Sequence, residues 1–332
     1  MTLSDALRPA HLSNSAELTN AVEAVELWSE NYLSYVWSPA NEVGVYMHFN
    51  RPPFNPRLWH DIFIVYLPND RFLVAKGFTP EDEPGVRGPK GAGLDWTCDE
   101  PWVQWTKRFE GAVQHVTGDE LRSGALRDGI HTSAKMELVY RQMGPVFGVG
   151  SLDEQDWATD HYEQHCTVTG WIEHEGTRYE VNGTGLRDHS WGPRDLSRMA
   201  DHVWLHGQFP SGRTFMTIVV RNRSGSGHLM YHLVSDADGK LREAKMSEIP
   251  LISDNSQPLD PYTLQFELAD GTVETIKAEV LTGCPIALVG QSEMAYGIDT
   301  RAETSHTLWE CLARFEWDGE IGYGLSERTV MH

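Results

Sequence analysis

The chain has 332 residues, with 27 Lys and Arg against 48 Asp and Glu, which gives a formal net charge of −21. This length is too great for one small core, so two domains are expected. The acidic balance argues against nucleic acid or an anionic membrane as partner, because binding to phosphates requires clustered positive charge. A small hydrophobic substrate fits this charge better.

No segment predicts export, membrane insertion or a cysteine-based framework. The four cysteines are widely spaced and form no Cys-x-x-Cys pair, unlike those of a disulfide scaffold or a zinc ribbon. The first twenty residues lack the basic and apolar regions of a signal peptide. No run approaches the roughly 18 consecutive apolar residues of a transmembrane helix. We therefore expect a cytoplasmic monomer or homodimer.

The first predicted element is a helix in SAELTNAVEAVELWSENYLSYV (15–36). Ser15 is a candidate N-cap, and a glutamate follows in the first turn. The apolar residues recur at helical spacing, at Leu18, Val22, Val25 and Trp28.

The rest of the chain is typical of antiparallel strands. Short β-rich runs recur, such as HDIFIVYLP (60–68) and SAKMELVYRQM (133–143). Turn dipeptides separate several of these runs and predict β-hairpins at Glu175-Gly176, Ser211-Gly212, Asp270-Gly271 and Asp318-Gly319. Many antiparallel strands with few helices indicate barrels or sandwiches.

A strand over 202–209 would carry an unusual face. His202, Trp204 and His206 would share one side of it with Gln208. A face that alternates imidazole, indole and amide suits the interior of a ligand-binding barrel better than a dry core or free solvent.

The last predicted strand places an acid in an apolar row. Tyr323 and Glu327 would lie on the same side as Ile321 and Leu325. An unpaired carboxylate is costly in such a position. Glu327 is therefore either a pocket acid or a strand-end residue that meets water or an arginine.

The most unusual segment is GTGLRDHSWGPRD (183–195). In an extended register, Gly183 and Gly185 share one side and clear space for close packing. Asp188 lies on the other side, near the end of a strand, where pocket mouths begin. The segment is either a structural corner, with Asp188 capping a turn or pairing with a neighbouring arginine, or the place where an acid meets a ligand.

This segment resembles the superfamily of carotenoid 1,2-hydratases and AttH-like proteins. The motif is a Gly-rich strand that runs into Asp188-His189-Ser190-Trp191. The order of segments agrees from about residue 140 to 222, beginning with GPVFGVG (144–150). The closing GEIGYGLSERT (319–329) is similar to the Gly-x-Gly-x-x-Glu pattern of an uncharacterised branch.

The resemblance implies an all-β fold of two lipocalin-like antiparallel β-barrels packed together, to which the predicted N-terminal helix is added. A deep apolar pocket would lie between or within the barrels. We place the domains at 1–200 and 201–332. The family's activities are hydration of isolated double bonds, dehydration and, in some relatives, pericyclic ring closure. None requires a metal or an organic cofactor. Leu186 and Arg187 stand where the hydratase branch has an aromatic residue, so the substrate does not carry over.

Residue chemistry agrees with an acid mechanism. A carboxyl group in an apolar cavity can stay protonated near neutral pH, indole faces stabilise developing positive charge, and imidazole accepts protons. The hypothesis is a cofactor-independent lyase or isomerase of hydratase or dehydratase type, acting on a terpenoid, steroid-like or polyketide-like substrate. The catalytic residues would be Asp188, His189 and Glu327, with His189 holding the carboxyl group of Asp188. The substrate-binding residues would be Trp191, Arg194, His202, Trp204, His206 and Tyr323.

Two alternatives remain open, a pericyclase-type cyclase with the same fold and a non-catalytic lipocalin-like carrier. A metal site is disfavoured. His202 and His206 are four residues apart, as are His161 and His165, but the zinc motif His-Glu-x-x-His is absent. On a strand, residues at this spacing lie too far apart to chelate one ion.

Overall fold

The computed structural model of the chain describes residues 9–81, 83–123, 126, 130–144, 146–148, 158–224, 228–289, 293–298 and 306–331. It is 66% strand and 4% helix, which confirms the predicted all-β class. The chain divides into two compact units. The first consists of Met1–Thr117 with Arg127–Asp195, and the second of Gly118–Leu126 with Leu196–His332.

The first unit is built on a closed ring of antiparallel strands. Its strands are β1 (Trp28–Ser38), β2 (Val43–Arg51), β3 (Leu58–Leu67), β4 (Arg71–Pro80), β5 (Leu94–Glu100), β6 (Gln104–Thr117), β7 (Ile130–Gln142), β8 (Phe147–Gly148), β9 (Asp160–His174) and β10 (Thr177–Pro193). The order around the ring is β10-β1-β2-β3-β4-β6-β7-β9, and pairing of β9 with β10 closes it. β5 adds to β6, and β8 adds to β9.

The second unit repeats this arrangement. A short helix, α1 (Gly118–Arg122), belongs to it, followed by β11 (Met199–Gln208), β12 (Thr214–Asn222), β13 (His228–Ser235), β14 (Leu241–Met246), β15 (Tyr262–Leu268), β16 (Val273–Val289), β17 (Glu293–Tyr296), β18 (His306–Trp317) and β19 (Glu320–Met331). The ring order is β15-β14-β13-β12-β11-β19-β18-β16, closed by pairing of β15 with β16. In each unit, the first strand of the ring therefore lies beside the last.

Each ring encloses its own apolar core. In the first unit, residues of alternating position pack inside the ring, among them Tyr32, Met47, Phe63 and Val168. In the second unit, the corresponding core includes Leu205, Phe215, Phe266 and Phe315. The side of each strand that faces the core is thereby defined, and the opposite side is outside the ring.

The four hairpin turns predicted from the sequence are confirmed. Each joins consecutive strands, and the glycine of each adopts a positive φ, namely 75° at Gly176, 93° at Gly212, 84° at Gly271 and 81° at Gly319. Glycine adopts a positive φ with little strain because it has no Cβ atom, unlike the other amino acids. Local turn chemistry therefore placed these hairpins correctly.

The helix predicted over 15–36 is wrong. A 3₁₀ turn covers Asn14–Glu17, and Trp28–Ser38 forms β1 instead. The helical stripe is not buried as a unit, since Val22 is 36% and Val25 is 45% exposed, whereas Trp28 is 2% exposed as part of β1. β1 is buried along its whole length and pairs with both β2 and β10. Closing the ring requires this strand, and its two ladders outweigh local helix propensity.

Candidate active site

Asp188 and His189 point to opposite sides of β10. Successive residues of a strand alternate between its two faces, and Val181, an even number of positions before His189, packs in the core. His189 therefore faces into the ring, and Asp188 faces outwards. Both side chains are nevertheless buried, since His189 is 0% and Asp188 is 9% exposed.

Outside the ring, Asp188 is part of a cluster of two carboxyl groups and one imidazole. Its Oδ1 accepts a hydrogen bond of 2.7 Å from the backbone N–H of Leu33. Its Oδ2 lies 3.1 Å from Nε2 of His161. The same nitrogen lies 3.4 Å from Oε1 of Glu163, which is fully buried and is the cross-strand partner of Asp188.

This arrangement suits proton transfer. His161 Nε2 is within reach of both carboxyl groups, so a proton on any one of the three groups can pass to another. The backbone N–H of Leu33 and the imidazole of His161 hold the carboxyl group of Asp188 and fix its orientation. We call Asp188, His161 and Glu163 the first acid cluster.

Inside the ring, a second and separate network surrounds Arg187. Its guanidinium forms two hydrogen bonds with the carboxylate of Glu17, of 2.8 and 2.9 Å. Tyr162 and the indole of Trp105 also donate to that carboxylate. Burial alone would raise the pKa of Glu17, but Arg187 and these donors together hold it below its ordinary value. This network is an ion pair fixed in the fold.

His189 belongs to the inner network, so the prediction that it holds Asp188 is wrong. Its Nδ1 lies 2.9 Å from the carbonyl oxygen of Ala16, and its Nε2 lies 3.0 Å from Oε1 of Glu30. Its ring stacks on Tyr32 at 3.8 Å. Alternation along β10 separates it from Asp188, and His161 on β9 takes the expected place beside the acid.

Trp191 and Arg194 lie at the end of β10. The Trp191 ring is 4.8 Å from that of His189, on the inner side, and so not beside Asp188. Arg194 donates a hydrogen bond of 2.8 Å to Oγ of Ser190. The alternative that Asp188 pairs with Arg187 is also wrong, because that guanidinium binds Glu17.

The other five predicted residues lie together on the outer side of the second ring. Odd-numbered residues of β11 belong to the core, so His202, Trp204 and His206 point away from it. Glu327 is the cross-strand partner of Trp204, and Tyr323 lies on the same side of β19. The rings of Trp204 and His206 are 4.8 Å apart.

Glu327 is paired with a histidine. It is 5% exposed, and its Oε1 lies 2.9 Å from Nδ1 of His202. The alternative that Glu327 is a strand-end residue exposed to water is therefore wrong. Glu310, 1% exposed, is the cross-strand partner of Glu327 on β18. We call Glu327, Glu310 and His202 the second acid cluster.

Sequence reasoning missed His161, Glu163 and Glu310 as members of these clusters. A signal was present, since GTGLRD (183–188) and GYGLSE (322–327) share the pattern Gly-x-Gly-Leu-x-acid. Both hexapeptides lie in the last strand of a ring, and each acid faces a glutamate across the ladder. Comparison of the two would have pointed to the facing glutamates.

His115, His174 and Glu175 form the one group among the described residues that offers three possible metal ligands, with atoms within 4.8 Å of one another. His202 and His206 are about 13 Å apart along their strand. The expectation that no metal is bound remains a prediction.

Within the described residues, no helix is both long enough and apolar enough to cross a membrane.

Solved structures with this fold cover nearly the whole chain. An AttH-like protein of Nitrosomonas europaea is 16% identical with a TM-score of 0.59, covering 93% of this chain and 96% of that chain. CghA is 12% identical with a TM-score of 0.55, covering 95% and 94%. Kievitone hydratase from Nectria haematococca is 10% identical with a TM-score of 0.50, covering 91% and 88%. The similarity confirms the lipocalin-like fold.

Sequence comparison adds a family. A search among proteins of curated function gives no match. The family described as "Domain of unknown function (DUF7064)" matches residues 13–331.

Proposed function

This chain belongs to the DUF7064 family, and from its two acid clusters we propose that it is a cofactor-independent lyase or isomerase. The reaction is of the hydratase or dehydratase type, and the substrate is a hydrophobic terpenoid, steroid-like or polyketide-like molecule. The observation that carries the proposal is the first acid cluster. There, the buried Asp188 carboxyl group is oriented by Leu33 N–H and by Nε2 of His161, and Glu163 contacts the same nitrogen.

In hydration, the Asp188 carboxyl group donates its proton to one carbon of the double bond. The other carbon becomes a carbocation, and a water molecule forms a new C–O bond there. The proton that this water loses passes to His161 or Glu163 and returns to Asp188. One water is added across the double bond, and dehydration runs the same steps in reverse.

The second acid cluster supports the proposal in a different way. Glu327 lies beside Trp204 on adjacent strands, and an indole face next to an acid stabilises positive charge that develops on a substrate. Its pairing with His202 resembles the pairing of Asp188 with His161. Kievitone hydratase, whose fold is similar, is consistent with hydration chemistry on this scaffold.

The test is turnover on a panel of isoprenoid, steroid and polyketide alkenes and alcohols in heavy-oxygen water. Hydration gives products with one added water that carry the heavy oxygen. Ring closure without change of mass would instead identify a cyclase, and ligand retention without product a carrier.

Asp188→Asn keeps the size of the side chain but removes the acidic proton. Turnover should fall about a hundred- to ten-thousand-fold, which is typical for loss of a general acid, with an unchanged circular dichroism spectrum. Asp119→Asn, at a position 95% exposed, is the matched control. Full turnover by Asp188→Asn would show that Asp188 is not the acid.

Glu327→Gln should lower turnover with little change in melting temperature. A large loss of stability with normal turnover would instead show that Glu327 has a structural role.

A further inference from the structure

A lysine inside the first ring takes no part in either acid cluster. Lys107 lies on β6 between Trp105 and Phe109, which are both core residues on the same side of the strand. Trp96 on β5 is its cross-strand partner. Lys107 is 1% exposed, so its side chain extends into the interior of the ring.

Aromatic rings surround the amino group. The Lys107 Nζ lies 3.4 Å from the centroid of the Trp96 ring, 4.5 Å from that of Tyr140 and 5.9 Å from that of Trp105. Within the described part of the chain, it forms no ion pair with a carboxylate and no hydrogen bond. Buried lysines are almost always paired, which makes this environment unusual.

Such surroundings favour the neutral amine. A desolvated ammonium without a carboxylate partner is costly, and rings compensate only in part. Burial, followed by the nearby guanidinium of Arg187, lowers the pKa of Lys107 well below its ordinary value. Desolvation and a neighbouring cation are the two ways in which proteins activate a lysine as a nucleophile.

We propose that Lys107 is a nucleophilic amine inside the first unit that binds a hydrophobic aldehyde or ketone by reversible imine formation. The carbonyl class follows from the amine, and the hydrophobic character follows from the aromatic cage and the apolar core around it. The proposal does not rest on the acid clusters, so its failure would leave the proposed function untouched.

The chemistry requires no further reagent. The nitrogen lone pair attacks the carbonyl carbon, and a proton moves from nitrogen to oxygen to give a carbinolamine. Loss of one water then gives the imine, and addition of water reverses both steps. No electrons are gained or lost overall.

The experiment traps the imine in the full-length chain. The protein is incubated with hexanal and sodium cyanoborohydride at several pH values between 6 and 8, and labelled lysines are located by peptide mass spectrometry. Lys277, 68% exposed, provides the reference. Exposed lysines are protonated up to about pH 10, so their reactive fraction rises about tenfold for each pH unit. A lysine that is already neutral has no such rise.

We expect Lys107 to be labelled at pH 6, and the ratio of its label to that of Lys277 to fall as the pH rises, because the pKa of Lys107 is the lower of the pair. Lys107→Met should remove the label and Lys277→Arg should leave it. If either variant fails to fold, the pH dependence of labelling in the wild-type protein still tests the proposal. Absence of label on Lys107 at every pH would overturn the proposal. A pH dependence parallel to that of Lys277 would also overturn it, because the cage would then hold an ordinary ammonium.

Discussion

His165 shows how one residue couples the fold to pH. Its ring lies beside Phe147 and is 1% exposed, and burial lowers its pKa to about 3. The same side chain in an unfolded chain titrates near 6.5. The folded state therefore takes up its proton later than the unfolded state as pH falls.

This difference predicts an acid-dependent loss of stability. Because the folded pKa is depressed, the contribution is complete above about pH 6.5 and is lost as pH falls towards 3. Between pH 6.5 and 5, His165 alone should lower the free energy of unfolding by about 2 kcal/mol. His165→Phe should flatten the dependence by that amount in urea denaturation at each pH. The exposed His131→Phe serves as control, and equal slopes for all three proteins would contradict the assignment.

Single residues also show the reach of sequence motifs. Asp188 stands out in GTGLRDHSWGPRD without any structure, and it does belong to a cluster of ionisable groups. The sequence predicts the next residue, His189, as its partner, whereas His161 contacts it from 27 positions away. The motif singled out the aspartate of this cluster, but alternation along the strand turns the neighbouring His189 to the other side.

At the scale of elements, β10 and β19 share a requirement for glycine. A Cβ on Gly185 would overlap the carbonyl oxygen of Tyr35, and one on Gly324 would overlap that of His206. In both cases the obstacle is the backbone of the adjacent strand, which cannot move without breaking the ring. The paired glycines thus allow the first and last strands of each ring to pack closely.

Alanine at either position should therefore be strongly destabilising. We expect Gly185→Ala and Gly324→Ala each to cost about 3 kcal/mol or more, at the upper end for overpacking. Gly111→Ala is the matched control, since its Cβ would meet the ring of Phe109 at 3.3 Å and the Cα atom of Gly93 at an ordinary contact distance of 3.7 Å. Chemical denaturation measures the three. Wild-type stability in Gly185→Ala would show that these strands can separate at no cost.

At the scale of the whole molecule, one buried carboxylate fixes the N-terminal segment to the first ring. Glu17 lies in the 3₁₀ turn Asn14–Glu17 and pairs with Arg187, 170 positions away. Glu17→Gln leaves the guanidinium of Arg187 buried without a charged partner. Breaking a buried pair in this way costs about 3–5 kcal/mol.

The double variant Glu17→Gln with Arg187→Met distinguishes the pair from packing. Removing both charges should recover part of that loss, because an apolar replacement of a buried pair is often nearly neutral. Denaturation of the two single variants and the double variant gives the coupling energy. Additive effects would mean that the two residues act separately.

The sequence by itself determined the features that depend on neighbouring residues. The recurring β-rich runs and the four glycine turns predicted an all-β chain, and the order of motifs predicted its lipocalin-like fold. The runs and the turns are local signals, because a turn or an alternating face is complete within about ten residues.

The tertiary structure alone decided which side chains meet. Trp28 to Ser38 became a strand because β2 and β10 lie on either side of it. Asp188 reached Leu33 across 155 positions, and Glu163 came opposite it through the register of β9 with β10. Closure of the ring sets these registers, and a shift by one residue would turn every side chain to the other face. No local pattern carries that information, because it depends on all the strands of the ring pairing at once.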